Sequence, residues 1–267
     1  MTTEVTTRAR TDAPTRSSSE PILSFPVLDE EPGRVGRRLA TLPGEGHPVW
    51  TYVCGVLIAL AAIAGLSILF GLLVTRVVLH IHGAPHDDEA LVSFLARHRS
   101  GGLTDASLIG SMIAGGVVLP IVAGVALIVA AVARHWRLAA FLLLTLAVES
   151  GSYRATTLVI HRHRPEVHRL EKLPVNASYP SGHTAASIAI YGGIALLISS
   201  RIESRAGRIA IWAAAALVVL FVAFSRMYRG MHHPLDIAGG VVVGVAALCA
   251  FLLISRATHL AAERRAG

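Results

Sequence analysis

Long apolar runs with few charges constrain the fold of this chain more than any other feature. A helix needs about 20 apolar residues to cross the hydrocarbon core of a bilayer. Runs of about this length occur at 51–74, 107–132, 138–160, 184–200, 209–225 and 235–254. These runs predict an all-α polytopic membrane protein, a bundle of about six transmembrane helices.

The composition also favours a membrane protein over a soluble one. Hydrophobic residues make up 53% of the chain and charged residues 15%, whereas a soluble domain has about 25% charged residues. The net charge is +7, and Lys172 is the only lysine among 24 basic residues. Many of the arginines flank apolar runs, which fits membrane topology and anionic lipid headgroups. Because no basic helix or aromatic stacking surface is visible, nucleic acid is not an expected partner.

The chain divides into three predicted regions. Residues 1–48 are rich in Thr, Ser, Arg, Pro and Glu without a lasting apolar period, which predicts a disordered cytoplasmic tail. Residues 49–257 form the membrane domain, and residues 258–267 are predicted to be a short basic cytoplasmic tail. Between the first two spans, residues 89–97 have apolar side chains at helical spacing. They predict a short helix, either amphipathic on the membrane surface or part of an ordinary covering loop.

Charge around the apolar runs predicts the topology. Cytoplasmic segments of membrane proteins carry an excess of Arg and Lys. This rule favours cytoplasmic N- and C-termini, with loops 80–105, 161–182 and 226–234 on the extracytoplasmic side. Those loops are basic too, but most of their excess charge lies in the polar motifs described next. The scarcity of Lys beside abundant Ala, Val and Arg is typical of a GC-rich bacterial genome, so we expect a bacterial cell membrane.

Three polar clusters interrupt the apolar chain. The first follows the third predicted span, the second precedes the fourth, and the third joins the fifth to the sixth. They are His161-Arg-His-Arg-Pro165, Tyr179-Pro-Ser-Gly-His-Thr184 and Ser225-Arg-Met-Tyr-Arg-Gly-Met-His-His-Pro-Leu-Asp236. Counting the spans places all three clusters on the same side of the membrane.

Two of these clusters are typical of an anion site. Ser181 and Gly182 stand just before a predicted helix, where Ser is a good N-cap and Gly lets a ligand approach the backbone. The free amides of a helix N-terminus bind anions, and Pro234 marks a second helix start on the same side. Arg164 and Arg226 add guanidinium groups, which match phosphate oxygens bidentately. The predicted ligand is a phosphate.

The same clusters contain side chains suited to phosphoryl transfer. His232 and Asp236 are four residues apart, so in a helix they share a face, and the carboxylate could fix the imidazole tautomer. His183 could act as a general acid. These groups need no metal or other cofactor. The alternative, a metal site, has scarce carboxylate ligands and arginines that would repel a cation. His161, His163, His168 and His233 are interpreted as interfacial anchors.

These motifs resemble the signature of the type 2 phosphatidic acid phosphatase superfamily. That signature is Lys-x6-Arg-Pro, then Pro-Ser-Gly-His, then Ser-Arg-x5-His-x3-Asp. The matching residues are Arg164-Pro165, Pro180-Ser181-Gly182-His183, and Ser225-Arg226 with His232 and Asp236. The resemblance covers roughly residues 50–256 and implies a membrane phosphatase with six spans.

The resemblance also implies a role for each matching residue. His232 would be the nucleophile that forms a phosphohistidine, Asp236 would orient it, and His183 would protonate the leaving group. The residues implied to bind the substrate phosphate are Arg164, Ser181, Gly182 and Arg226.

The first motif departs from the family pattern at one position. Thr157 stands where the signature has Lys, seven residues before Arg164, and a threonine cannot supply positive charge. Arg154, Arg162 and Lys172 are the basic residues nearby that could replace it. This departure affects the expected substrate preference and rate more than the expected class of reaction, because the nucleophile and the acid are both present.

The leading hypothesis is a membrane-embedded lipid phosphate phosphatase that works through a phosphohistidine. Its expected partners are a phosphorylated lipid substrate and the bilayer, the lipid being a polyprenyl diphosphate, phosphatidic acid or phosphatidylglycerol phosphate. Two alternatives remain open at this point. One is a phosphotransferase that moves the phosphoryl group to an alcohol, and the other is a non-catalytic transporter or scaffold with a degenerate site. The sequence does not indicate an oligomeric state.

Overall fold

A computed structural model describes the chain over residues 25–41 and 47–266. Within these residues the regular structure is helical, apart from an isolated bridge between Arg162 and Ala177. The helices are α1 (Pro26–Asp29), α2 (Arg34–Leu39), α3 (Pro48–Arg76), α4 (Ala84–Arg97), α5 (Gly101–Ile113), α6 (Val118–Val132), α7 (Trp136–Val159), α8 (Gly182–Ser187), α9 (Gly193–Ser199), α10 (Arg205–Tyr228) and α11 (Pro234–Ala266). The all-α prediction is confirmed.

Four helical segments in the described residues are long and apolar enough to cross a membrane. They are Pro48–His80, Gly182–Ser199, Arg205–Tyr228 and Pro234–Ala266. The first includes a 3-10 turn after α3, and the second joins α8 to α9 through a π-helical turn, Ile188–Gly192. A fifth span results if α5 and α6, bent by 44° at their junction, count as one. The chain is therefore a multi-pass membrane protein.

The predicted third span corresponds to α7, which is more polar than the others. Its 24 residues extend for about 36 Å at a rise of about 1.5 Å per residue. Glu149 and Arg154 lie in its second half and lower its mean hydropathy. By length and composition the structure thus has four or five spans, where the sequence predicts about six.

Two predictions about the ends of the chain need correction. Residues 26–29 and 34–39 of the predicted disordered tail form α1 and α2, because Val27, Leu28 and Leu39 bury apolar surface against the bundle. Residues 1–24 and 42–46 lie outside the described residues. The predicted C-terminal tail is largely the last turns of α11, where Ala257 and Ala261 are buried.

Helix α11 is the centre of the bundle and packs closely against α8. A Cβ atom on Gly240 would lie 2.5 Å from the carbonyl oxygen of Ser181, and one on Gly244 would lie 2.7 Å from that of Ala185. Only glycine permits so close an approach of two backbones. This contact sets the start of α8 beside the start of α11.

The two ends of the bundle differ in what they hold. The polar clusters lie where α7 and α10 end and where α8 and α11 begin, all at one end. Helix α4, longer than the predicted 89–97 segment, covers this end and buries Asp88 and Val92. At the opposite end, Arg256 of α11 donates to the carbonyl oxygen of Val27 at 2.8 Å, which fastens α1 to the bundle.

Candidate active site

The three polar motifs meet in one buried region. Charged neighbours of His183 include Arg226, His232, Glu171 and Arg164, which come from α10, the α10–α11 loop and the loop after α7. Arg226 is 0% exposed and His232 is 3% exposed. Burying charged side chains is costly unless each has a partner or a ligand, so the partners of each group define what the site can do.

The imidazole of His232 is held by a backbone carbonyl. Its Nδ1 lies 2.7 Å from the carbonyl oxygen of Ser178. A carbonyl only accepts, so Nδ1 is assigned the hydrogen and Nε2 keeps its lone pair. Burial lowers the pKa of His232 to about 4, and the nearby Arg226 and Arg164 act in the same direction against Asp236. A neutral imidazole with a free Nε2 is suited to nucleophilic attack.

Asp236 is predicted to orient His232, and the geometry makes this action indirect. Its Oδ2 lies 3.8 Å from Nδ1 of His232, beyond hydrogen-bond distance. The same oxygen accepts a hydrogen bond from Ser178 Oγ at 2.5 Å and one from the backbone amide of His233 at 2.9 Å. The second bond is the reciprocal half of a capping box at the start of α11. Asp236 thus fixes Ser178, and the carbonyl of Ser178 in turn orients His232.

The start of α8 supplies Ser181, Gly182 and His183. The amide of Ser181 donates to the backbone oxygen of Asp236 at 2.9 Å, which ties the two helix starts together. The ring of Tyr153 lies against Gly182, where a Cβ would stand 3.2 Å from it. First-turn amides of a helix have no partner within the helix and can bind an anion.

Arg226 gives the strongest sign of a ligand. Its NH1 donates to both carboxylate oxygens of Glu171, at 3.0 and 2.9 Å, and also to Ser111 Oγ. Its Nε and NH2 are buried and have no hydrogen-bond partner among the described residues. A guanidinium carries five N–H donors, so this part of Arg226 presents donors that an anion would satisfy.

Arg164 has mainly a structural role in this arrangement. Its guanidinium donates to the backbone oxygens of Pro174 at 2.8 Å, Met231 at 2.5 Å and Ala177 at 2.8 Å. These bonds join the loop after α7 to the loop before α11. Burial lowers the pKa of Arg164, and Arg226 adds to the effect. Two of its five N–H donors remain for a phosphate.

Sequence reasoning missed Glu171 and Arg229. Burial would raise the pKa of Glu171, but Arg226 and hydrogen bonds from Arg226, Ser111 and Arg229 outweigh it and lower the pKa to about 2. Arg229 Nε donates to Glu171 Oε1 at 2.6 Å. Arg229 lies inside the third motif, which offered a signal, whereas no pattern singled out Glu171. Across residues 25–41 and 47–266, no cluster of three or more His, Cys, Asp or Glu could hold a metal ion.

The three auxiliary residues have different surroundings in the structure. Thr157 Oγ1 donates to the carbonyl oxygen of Arg154 at 2.9 Å, and Arg154 itself is exposed. Lys172 is exposed at an open cavity of about 600 Å³ that Glu171 also lines. Arg162 is buried, and its two terminal nitrogens bind Asp88 and Asp236. Two nitrogens of Arg162 thus already bind carboxylates, and a role for Arg162 in binding phosphate stays a prediction.

His233 also differs from its interpretation as an interfacial anchor. It is buried, and its ring nitrogens face Glu89 at 2.9 Å and Asp236 at 3.3 Å. By contrast, His161, His163 and His168 are exposed. The residue type alone does not distinguish buried His233 from the three exposed histidines, because the partner of His233, Glu89, comes from the distant helix α4.

Comparison of the sequence with known proteins identifies similar chains. It is 36% identical to an undecaprenyl-diphosphatase of Sulfolobus acidocaldarius over 28% of this chain and 32% of that one. It is 33% identical to lipid phosphate phosphatase delta of Arabidopsis thaliana over 28% and 19% of the two chains. It is 37% identical to undecaprenyl-diphosphatase BcrC of Bacillus subtilis over 33% and 43%. The chain thus aligns with less than half the length of these relatives.

The fold is similar to that of a solved structure. A transmembrane PAP2 type phosphatidylglycerolphosphate phosphatase from Bacillus subtilis superposes with a TM-score of 0.59 and 20% identity. The superposition covers 77% of this chain and 94% of that chain. Residues 135–259, which contain all three motifs, match the PAP2 superfamily. By its motifs, its fold and this match, the chain is similar to members of the PAP2 superfamily.

Proposed function

We propose that this protein is a membrane-embedded lipid phosphate phosphatase that works through a phosphohistidine on His232, without a metal or other cofactor. One observation carries the proposal. Arg226 has buried guanidinium nitrogens without a partner, and its charge acts on His232, which is held neutral with its Nε2 free. A phosphate would satisfy the guanidinium and present its phosphorus atom to the imidazole. The motif residues of the family supply the same assignment.

The proposed chemistry gives one role to each of the two histidines. Nε2 of His232 attacks phosphorus, a P–N bond forms, and the bond from phosphorus to the leaving oxygen breaks. Protonated His183 gives its proton to that oxygen. A lipid alcohol therefore leaves neutral, whereas a lipid monophosphate leaves with that oxygen protonated and its remaining charge unchanged. Water then attacks the phosphorus of the phosphohistidine while His183 takes its proton. The P–N bond breaks, inorganic phosphate is released and His232 is restored. Arg226, Arg164 and the amides at the start of α8 stabilise the charge on the phosphoryl oxygens throughout.

A lipid substrate is supported by the setting of the site. The site lies at one end of an apolar helix bundle, so a lipid can keep its chains in the bilayer while its phosphate reaches the histidines. The names of the relatives, which include undecaprenyl-diphosphatase and lipid phosphate phosphatase, point the same way. Polyprenyl diphosphate, phosphatidic acid and phosphatidylglycerol phosphate are the substrates we propose to test.

The proposed orientation places the site at the extracytoplasmic face of a bacterial cell membrane. Helix α1 and the C-terminal turns of α11 lie at the opposite end of the bundle from the site, as the contact between Arg256 and Val27 shows. With both termini cytoplasmic, substrate would enter sideways from the outer leaflet. Labelling of single cysteines at exposed positions near each end, with a membrane-impermeant reagent in intact cells, tests this orientation.

The test of activity uses the purified full chain in detergent micelles with EDTA present. Phosphate release is measured for the three lipid classes, and products are analysed with and without an added alcohol acceptor. His232→Ala is expected to abolish release, while His163→Ala, an exposed histidine of the same region, is expected to retain it. Full activity of His232→Ala would contradict the mechanism, and loss of wild-type activity in EDTA would contradict a metal-free site.

A further inference from the structure

Helix α4 carries two adjacent acidic residues into the end of the bundle that holds the candidate active site. Asp88 is 6% exposed, although α4 is a covering helix between two spans. A buried aspartate is costly unless it is paired and hydrogen-bonded. Glu89 is next to it and is also turned toward the α10–α11 loop. Their partners, Arg162 and His233, both contact Asp236.

Asp88 acts on the start of α11 in two ways. One carboxylate oxygen binds the Arg162 guanidinium, whose other terminal nitrogen binds Asp236. The other oxygen accepts a hydrogen bond from the backbone amide of Leu235 at 3.0 Å. That amide belongs to the first turn of α11, where donors lack partners within the helix. Asp88 therefore caps α11 from a separate helix and also holds the cation that neutralises Asp236.

Glu89 reaches Asp236 through the ring of His233. Glu89 Oε2 lies 2.9 Å from Nε2 of His233, and Nδ1 of the same ring lies 3.3 Å from Asp236 Oδ2. The other oxygen of Glu89 accepts from the amide of Glu166 at 3.1 Å, which fixes the carboxylate on its far side. The ring of His233 lies between the two carboxylates and limits their movement. A neutral imidazole donates a hydrogen bond to one of them, and a protonated one donates to both.

These contacts converge on the group that orients His232. Asp236 accepts a hydrogen bond from the hydroxyl of Ser178 at 2.5 Å. The carbonyl oxygen of Ser178 lies 2.7 Å from Nδ1 of His232. A displacement of Asp236 would therefore shift Ser178 and with it the imidazole. We propose that Asp88 and Glu89 are positioning residues. They fix the orientation of the His232 imidazole, and with it the direction of Nε2, through Arg162 and His233. This inference rests on the proposed phosphatase function.

The arrangement predicts an effect on turnover more than on binding. Within the described residues, no hydrogen bond or ion pair joins Asp88 or Glu89 to Arg226, whose unpartnered nitrogens are the proposed phosphate site. Outer partners that orient a reacting group change activity by about 10- to 100-fold when they are lost, as measured around metal ligands. An imidazole in the wrong orientation attacks phosphorus more slowly, while Arg226 still binds the phosphate.

The experiment compares Glu89→Ala with Asp87→Ala, which removes the exposed acidic neighbour on the same helix. For each variant, kcat, KM, inhibition by inorganic phosphate and the thermal unfolding midpoint are measured on the full chain. Glu89→Ala is expected to lower kcat about 10-fold or more, with KM and phosphate inhibition unchanged within about twofold. Asp87→Ala is expected to match wild type, and Glu89→Asp is expected to recover part of the lost kcat. Asp88→Asn is expected to lower kcat at least as far.

The outcomes separate this inference from the proposed function. If wild type releases no phosphate, or His232→Ala is as active as wild type, the proposed function fails. If wild type is active and His232→Ala is not, an unchanged kcat in Glu89→Ala overturns the positioning role. A rise in KM and in the phosphate inhibition constant at constant kcat also overturns it. So does a fall in kcat that is matched by a loss of thermal stability in Glu89→Ala.

Discussion

Arginines hold both ends of this helix bundle, but in opposite surroundings. At the site end, Arg226 is 0% exposed and Arg164 is 5% exposed. At the other end, the side chain of Arg137 is 41% exposed and that of Arg256 is 19% exposed, with Asp29 and Glu30 as their partners. Water can solvate the second pair of guanidinium groups, whereas the first pair depends on protein groups or a ligand.

The difference teaches which charges are available for chemistry. Arg137 and Arg256 join α1 to the bundle, and their ion pairs are of the solvent-exposed kind that contributes little stability. Among the arginines of the described residues, Arg226 is the one with buried guanidinium nitrogens that have no partner. The same residue type fastens a helix at one end and offers an anion site at the other. Burial decides between the two roles.

The largest expected effect is the loss of kcat/KM when the buried arginine at the site end is replaced, compared with replacement of an arginine at the other end. Arg226→Gln removes the unpartnered donors, and we expect kcat/KM for lipid phosphate to fall by about 10²- to 10³-fold, the usual cost of one donor to a developing oxyanion. Arg256→Gln is the matched control and is expected to keep kcat/KM within about twofold, as surface substitutions away from a site usually do. Equal losses in the two variants, measured by phosphate release, would remove the functional distinction between the ends.

The second prediction concerns the charge state of His232. Burial lowers its pKa from the ordinary 6.5 to about 4, so the imidazole is neutral above about pH 4 and becomes protonated below it. Nuclear magnetic resonance of histidine labelled in the ring, with His232→Ala identifying the signal, measures this titration without substrate. We expect a midpoint near pH 4. A midpoint near 6.5 would mean that the site does not hold the nucleophile neutral.

The third prediction tests the close approach that sets the two helix starts together. Gly240→Ala would place a Cβ 2.5 Å from the Ser181 carbonyl oxygen, so the backbone of α8 has to move. Overpacking of this kind costs about 1–3 kcal/mol of stability, and the shift should lower activity as well. Gly65→Ala, in α3 with open space around the site of the added atom, is the control. Thermal unfolding and phosphate release should both separate the two variants.

The smallest expected effect lies at the opposite end. Asp29→Asn removes the carboxylate that binds Arg137, whose side chain is 41% exposed. An exposed pair contributes about 0–1 kcal/mol, so the thermal midpoint should move by only a few degrees and the activity should not change. A marked loss of activity would show that α1 influences the site from the far end of the bundle.

The fold class and the motif residues could be predicted because their signals are local. Apolar runs of about 20 residues indicate spanning helices without any knowledge of their contacts. The spacing of His232 and Asp236, and the order Pro180-Ser181-Gly182-His183, are equally visible in the sequence. The all-α membrane fold is confirmed, and residues 135–259 match the PAP2 superfamily. The roles of the individual site residues stay predictions.

What could not be predicted depends on contacts between distant parts of the chain. Asp88 and Arg162 are 74 residues apart, and Glu89 and His233 are 144 residues apart. No periodicity in the sequence indicates such pairs. The sequence therefore offers Arg162 only as one possible replacement for the missing lysine, and it favours an interfacial anchor for His233. The break between α5 and α6 was missed although Gly115 and Gly116 stand at it. An apolar run conceals such a bend, because both halves are hydrophobic.

The central claim is that His232 carries the phosphoryl group. The most direct measurement is rapid quenching of the full chain with a lipid substrate labelled with ³²P in the transferred phosphate. A phosphohistidine is stable to base and labile to acid. We expect base-stable, acid-labile label on the peptide that contains His232, and none in His232→Ala. Label on another residue, or turnover by His232→Ala at the wild-type rate, would contradict the account.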